Sequence, residues 1–486
     1  MSATAAQREA IAGLPFVDHL QPVARGSRMA AGHQEATTSL PDYNLTANQL
    51  LQIGVPYLHA CGLDGTGVVI AVQDTGFHLE HDVFAGLQVL AERDFINDDD
   101  TTANETEEES RWAQDSHGTQ VLSSIVGEVA GIYRGAAPGV SVILSKTEAV
   151  PFEEPVEEDW FVEGLEWAEA QGADVFTASL GYLDWYESSD LDGATAVTTL
   201  AATIALENGL ILVNSAGNGG PDAGTLSAPA DTDGLIAVGA VDRSGETAMF
   251  SSRGPTADGR IKPDVAAPGV SVWTALPHSG DEYTQVSGTS FAGPLTAGAV
   301  ALLLQAEPGL SPAAVLERLR TTASQADDPD NTLGWGIVNM LAAVGSACAC
   351  DDLDGDGELG PLCGGADCND LDDAIHPGAP ERCNLVDDNC DGRLSFDELD
   401  GDHDGYPRCL ECDDTTLRVS PVVAERCHDG LDNNCDGLVD HDDPTCSDTR
   451  PLPSEDLFGP GCGCAHPAPR DAWNGLLLVV LIRRRR

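Results

Sequence analysis

Positive charge is scarce in this chain: 24 Lys and Arg stand against 80 Asp and Glu in 486 residues, a formal net charge of −56. Gripping nucleic acid takes a basic surface that neutralises phosphates, so that class of partner is excluded. Cysteine is missing from most of the chain as well; of 14 cysteines only Cys61 precedes Cys348. Everything before Cys348 must therefore build its own core, and roughly three hundred residues is ample length for one. With no neighbour in sequence, Cys61 is read as a free buried thiol, a pairing partner being the alternative. Export signals are absent at the near end: residues 1–30 contain no charged start followed by an apolar core. At the far end, the apolar residues 473–482 are too few to span a bilayer comfortably.

Among what is present, Ser287-Gly288-Thr289-Ser290 running into Phe291-Ala292-Gly293-Pro294 predicts a helix with Ser290 in its first turn, among unpaired backbone N–H groups. A helix cap alone would satisfy that pattern, so a nucleophile needs partners. Residues 68–72 are an unbroken β-branched apolar run, as expected of a strand buried on both faces, and they deliver Asp74-Thr75-Gly76 at its C-terminal end. Ligand chemistry gathers at such ends in open α/β sheets. Asp115-Ser116-His117-Gly118-Thr119 precedes Val121, Leu122, Ile125 and Val126, a spacing that puts His117 near the start of a helix. Residues 210–213 read as a further buried strand ending in Asn214 to Gly220, where Asn218 is a candidate amide donor. Turn, cap and structural roles are the alternative for each residue taken singly. Their order, Asp then His then Ser, in Gly-flanked strand ends and helix starts favours a catalytic set.

On these motifs, residues 50–344 resemble the subtilisin-like serine endopeptidases. The resemblance implies that Asp74 is the orienting carboxylate, His117 the general base, Ser290 the nucleophile and Asn218 the oxyanion donor. Ser179-Leu180-Gly181, after a predicted strand at 174–178, is similar to the family segment that pairs with an extended substrate backbone. Residues 250–255 and 262–269 are similar to further family landmarks. Strands at 141–145, 174–178, 210–214 and 235–239 alternate with helices at 159–170, 195–207 and 312–323, which predicts an α/β domain with a mainly parallel sheet. The family implies the subtilisin-like three-layer form of it, over 46–346. The acidic residues 97–110 between Asp74 and His117 read as a surface loop, with a cation site as the alternative.

From Cys348 onward the composition changes. Asp352-Leu353-Asp354-Gly355-Asp356-Gly357 recurs as Asp400-Gly401-Asp402-His403-Asp404-Gly405. Glu381-Arg382-Cys383 with Cys390-Asp391-Gly392 is echoed by Glu425-Arg426-Cys427 with Cys435-Asp436-Gly437. Alternating Asp with a closing Gly sets hard oxygen ligands around one turn, so Asp352, Asp354, Asp356, Asp400, Asp402 and Asp404 are candidate ligands for structural Ca²⁺. Flanking helices and a terminal glutamate are missing, so this is not an EF-hand. The repeats resemble the short cysteine-rich metal-binding motifs of bacterial secreted proteins, which implies a small, irregular domain over 347–447 stapled by disulfides and calcium in place of a core. Zinc on the thiolates and a metal-free acidic linker are the alternatives.

The ends bear on export. A linker at 448–470 with Gly461-Cys462-Gly463-Cys464, then 471–486 with its apolar stretch and Arg483 to Arg486, resemble myxobacterial C-terminal sorting tails and imply transient membrane anchoring. Residues 14–17 and 21–24 resemble the end of an inhibitory pro-segment, so 1–45 reads as its remnant and linker. The combined expectation is an exported, surface-associated, monomeric serine endopeptidase acting on proteins or peptides. An adhesive or structural surface protein that keeps the protease fold as a scaffold is the alternative function.

Overall fold

The computed structural model describes residues 43–348, 350–384, 386–399, 401, 402 and 406–446. The pro-segment-like stretch, the C-terminal tail, Asp400 and Asp404 lie outside these residues. The chain divides into two compact units: the first ends at Glu381 and takes back Asp387–Arg393, and the second comprises Arg382–Val386 and the chain from Leu394.

Seven strands form the sheet of the first unit: β1 (Val69–Asp74), β2 (Gln88–Asp94), β3 (Ser141–Lys146), β4 (Val175–Ala178), β5 (Ile211–Ser215), β6 (Ile236–Val241) and β7 (Val265–Pro268). Their order is β2-β3-β1-β4-β5-β6-β7, and every neighbouring pair is parallel. Parallel strands need crossovers, which the sequence supplies as α2 (Ser116–Val126), α3 (Val156–Gln171) and α4 (Val197–Asn208), while α5 (Thr289–Ala306) and α6 (Pro312–Thr322) follow the last strand of the sheet. Side chains alternate across the sheet: Ile70, Val72, Ile211, Val213, Ile236 and Val238 enter one core with Leu122 of α2 and Leu295 of α5. Ala71, Leu212 and Ala237 enter the other, with Phe161 and Leu165 of α3 and Ala202 of α4. That is the three-layer arrangement implied by the family resemblance. By length and composition α5 is apolar enough to cross a membrane, but 89% of it is buried inside the domain, as befits the central core helix. A hairpin of β8 (Val272–Ala275) and β9 (Tyr283–Val286) completes the unit.

The acidic run at 97–110 is more than a loop. Its last residues start helix α1 (Glu107–Trp112), whose N-cap Thr106 and third residue Glu109 form a reciprocal capping box. Glu109 also pairs with Lys146, which sits fully buried at the end of β3 and reaches Asp94 at 2.8 Å. The cation held by these carboxylates is the chain's own ammonium. Lys262 is buried likewise, 2.7 Å from Asp264. Cys61 is not free: it is disulfide-bonded to Cys348, with Cα atoms 5.7 Å apart. The chain returns across 287 residues to bring the two together, a proximity that local sequence does not reveal.

Candidate active site and metal centre

Asp74 ends β1 with its side chain fully buried. Its Oδ1 accepts the Thr75 N–H at 2.8 Å and lies 2.7 Å from His117 Nδ1, in the first turn of α2. A carboxylate acceptor fixes the proton on Nδ1 and leaves Nε2 as the basic nitrogen. Gly118 permits this approach, because a Cβ there would stand 2.2 Å from the Gly76 carbonyl oxygen and 3.0 Å from Asp74 Cβ. Burial lowers the affinity of His117 for a proton, but the charge and hydrogen bond of Asp74 outweigh it and raise the pKa above its ordinary value. The imidazole side chain remains about a third exposed, at 34%.

The His117 ring faces Phe291 at 5.9 Å between centroids. Phe291 follows Ser290, which occupies the first turn of α5 and is nearly buried. Asn218, beyond the end of β5, joins the same turn: its Oδ1 accepts both the backbone N–H and the hydroxyl of Thr289 at 3.0 Å. A backbone N–H can only donate, so the amide oxygen is held toward Thr289 and Nδ2 is directed elsewhere. Ser179 reaches the same helix, its hydroxyl donating to the Ser290 carbonyl at 2.7 Å. Asp74, His117, Asn218, Ser179 and Ser290 therefore converge, from the ends of three strands and the starts of two helices. Leu180 is buried, its carbonyl accepting from Asn214 Nδ2 at 3.0 Å, whereas Gly181 is exposed. The next residue, Tyr182, bridges antiparallel to Ala228.

One neighbour escaped the sequence reading. Tyr182 donates to Glu148 at 3.1 Å, and burial, with Glu157 and Glu153 nearby, pushes the Glu148 carboxyl up to about 9. The signal was the density of acid from Glu148 to Glu158, which gives no hint that part of it turns inward.

The acidic loop beyond Cys350 has its own geometry. Asp354, Asp356 and Asp367 each use Oδ1 to accept a backbone N–H two residues on, and each keeps Oδ2 buried without a partner. Asn369 Oδ1 is buried without a partner too. Asp354, Asp367 and Asp370 approach within 4.8 Å of one another, and Asp370 also accepts the Tyr57 hydroxyl at 2.8 Å. Orphaned oxygens converging in this way fit a hard cation. Asp352 differs, with its two oxygens accepting Gly355 and Gly357 amides. Asp367 and Asp370 are donors the sequence reading missed; the signal was the Cys-Asn-Asp at 368–370, echoed as Cys-Asp-Asp at 412–414. Asp402 lies among the described residues, its neighbours Asp400 and Asp404 outside them.

Thiolate ligation is closed off at the described repeats, because Cys350 pairs with Cys363, Cys368 with Cys390, Cys383 with Cys409, Cys412 with Cys435 and Cys427 with Cys446. The repeat extends to backbone detail. Cys368–Cys390 and Cys412–Cys435 span 22 and 23 residues, and Cys390 and Cys435 share a left-handed φ of 57°.

Comparison with known proteins agrees with this geometry. The metal-binding motif of the Cu-binding MopE family matches residues 367–395 and 412–441. Subtilisin E of Bacillus subtilis (strain 168) is 33% identical over 303 residues, covering 60% of this chain and 70% of the subtilisin. Subtilisin DY of Bacillus licheniformis is 32% identical over 309 residues, covering 61% of this chain and 99% of its own. Among solved structures, a protease from Pseudoalteromonas arctica superposes with a TM-score of 0.51 at 25% identity, over 64% of this chain and 100% of that one. The subtilase (peptidase S8) model matches residues 65–336, more than half of the chain, and with a parallel sheet that brings Asp74, His117 and Ser290 together, this chain belongs to the subtilase family and carries a subtilisin-like serine protease domain.

Proposed function

We propose that the chain is a serine endopeptidase in which Ser290 attacks the peptide carbonyl. The observation that carries this reading is the 2.7 Å contact between buried Asp74 and His117, beside the helix turn that bears Ser290. His117 Nε2 takes the Ser290 proton during attack and returns it to the leaving amine. Asp74 holds the imidazole in the required tautomer and stabilises the imidazolium. The oxyanion that forms is met by Asn218 Nδ2, oriented by the two Thr289 hydrogen bonds, and by the Ser290 N–H at the start of α5. Water then releases the acyl group by the reverse sequence of proton transfers. Ser179 to Gly181 receive the extended substrate backbone, a role supported by the exposure of Gly181 and by the hydrogen bond from Ser179 to Ser290.

For the acidic loops the reading is structural Ca²⁺, held in the first loop by Asp354, Asp356 and Asp367 with Asp370 and Asn369. An all-oxygen donor set supports calcium over copper or zinc. Six disulfides among the described residues support an oxidising, exported location. Surface attachment through the tail and a monomeric state complete the proposal.

Labelling with a serine-directed fluorophosphonate tests the catalytic assignment. The wild type is expected to label and Ser290→Ala is not. Equal labelling of both, or peptide cleavage undiminished in Ser290→Ala, sinks it; a wild type that neither labels nor cleaves leaves the scaffold reading.

A further inference from the structure

Beside the catalytic set, in the turn after Asp74 and two residues before His117, three segments bring metal-ligand side chains to one place. His78 lies in the turn after β1, Asp115 is the N-cap of α2, and His278 sits on the connection between β8 and β9. One ligand atom from each falls within 4.8 Å of the others. The two imidazoles are 4.4 Å apart between centroids, and His278 Nε2 stands 2.8 Å from Asp115 Oδ1. Asp115 is fully buried, and its Oδ2 accepts the Asn104 N–H at 3.2 Å, which fixes the carboxylate. His278 holds a left-handed φ of 61°, a conformation uncommon outside Gly that His, Asn and Asp adopt more readily than other side chains. The cluster opens into a cavity of about 570 Å³ whose wall adds Glu80, Glu92 and Asp100.

We propose that His78, Asp115 and His278 form a binding site for a divalent transition-metal ion of the zinc class. Two imidazoles and a carboxylate are a borderline donor set, suited to zinc and distinct from the all-oxygen loops near Asp354. Three protein ligands leave a fourth position open toward the cavity, and the acidic wall favours a dication over an anion there. Bonds of roughly 2.0–2.1 Å in a tetrahedral site set ligand atoms about 3.3 Å apart, so His278 Nε2, 2.8 Å from Asp115 Oδ1 without an ion, moves outward by roughly 0.5 Å to admit one. Its exposure, at 44% of the side chain, leaves it room to move. Its hydrogen bond to Asp115 then becomes shared coordination, and the ion ties the β8–β9 connection to the strand-end turn and the start of α2.

The test uses the full chain with Ser290→Ala, to prevent self-cleavage, and excess Ca²⁺ to fill the oxygen sites. Co²⁺ is titrated and read by its visible d–d absorption, and Zn²⁺ stoichiometry is measured by equilibrium dialysis. One equivalent of Co²⁺ in a four-coordinate spectrum, displaced by Zn²⁺, is expected. Affinity should fall at least tenfold in His78→Ala and in His278→Ala. It should be unchanged in His441→Ala, which removes an imidazole paired with His428 in the second unit. Unchanged Zn²⁺ stoichiometry and affinity in both His78→Ala and His278→Ala overturns the proposal and leaves His278–Asp115 a plain ion pair. Circular dichroism verifies folding. Should His78→Ala fail to fold, His278→Asn carries the test, since Asn tolerates the left-handed backbone.

Discussion

The two hydrogen bonds from Thr289 decide which end of the Asn218 amide faces the cleft, and so the worth of that side chain to catalysis can be isolated. Asn218→Ala should lower kcat by about 10²–10³ with little change in KM, the size of loss known for removing such a donor in subtilisin. Steady-state kinetics on a peptide substrate check it. His117 gives a pH signature. Burial disfavours its charged form, Asp74 more than compensates, and the folded-state pKa is raised above 6.5. The basic form is therefore populated only above that raised value, and kcat/KM should climb with pH through it. Imidazole titration by NMR in Ser290→Ala should give a midpoint above 6.5, and adding Asp74→Asn should move it down; an unmoved midpoint rules Asp74 out as the cause. Asp74, His117, Asn218 and Ser290 were legible because glycines and strand ends mark them in the sequence. Glu148, Asp367 and Asp370 were not, because a carboxylate that turns inward carries the same letter as one that faces water.

Elements followed the apolar pattern closely where a strand is buried on both faces: β3, β4, β5 and β6 lie within one or two residues of the predicted stretches. Helix α1 was hidden because the charge density around it reads as a solvated loop, although Thr106 and Glu109 stand at the spacing of a capping box. Disulfide pairing was the other gap. Spacing cannot tell which cysteines meet, and the bond from Cys61, after the short helix Val55–Ala60, to Cys348 closes a loop of 287 residues. Cys61→Ser should cost about 2–5 kcal/mol of stability, mainly by freeing the unfolded chain. Guanidinium unfolding of Cys61→Ser and its parent, both carrying Ser290→Ala, measures this, and equal midpoints would contradict it. The active-site strands need no such tether, so fluorophosphonate labelling of Cys61→Ser with Ser290 intact should persist under native conditions.

At the scale of the whole molecule, a net charge of −56 must be reconciled with a compact fold. Cations bound in the proposed calcium loops would offset part of it, and the first acidic loop belongs to the same compact unit as the protease fold, linked to it by Asp370 and Tyr57. Arg382, Arg393, Arg408, Arg418 and Arg426 are already exposed, so chelation with EGTA should act by loosening the backbone around them and making it cleavable by added trypsin, while fluorophosphonate labelling of Ser290 continues. Mass spectrometry of the fragments reads the first effect; cleavage unaltered by EGTA counts against calcium in the loops. The domain order was legible in the sequence because cysteine and aspartate change density at Cys348, whereas the way the chain folds back into two units depends on contacts that composition does not encode. The scarcity of positive charge has a further practical consequence. Lys146 and Lys262 are the chain's only lysines, and both are buried in ion pairs, one beside the β2 edge of the sheet and the other leading into the β7 edge. A folded surface without lysine amines offers acylating reagents no lysine to take, so modification at these two positions acts as a pair of clocks, each timing the opening of a different side of the molecule.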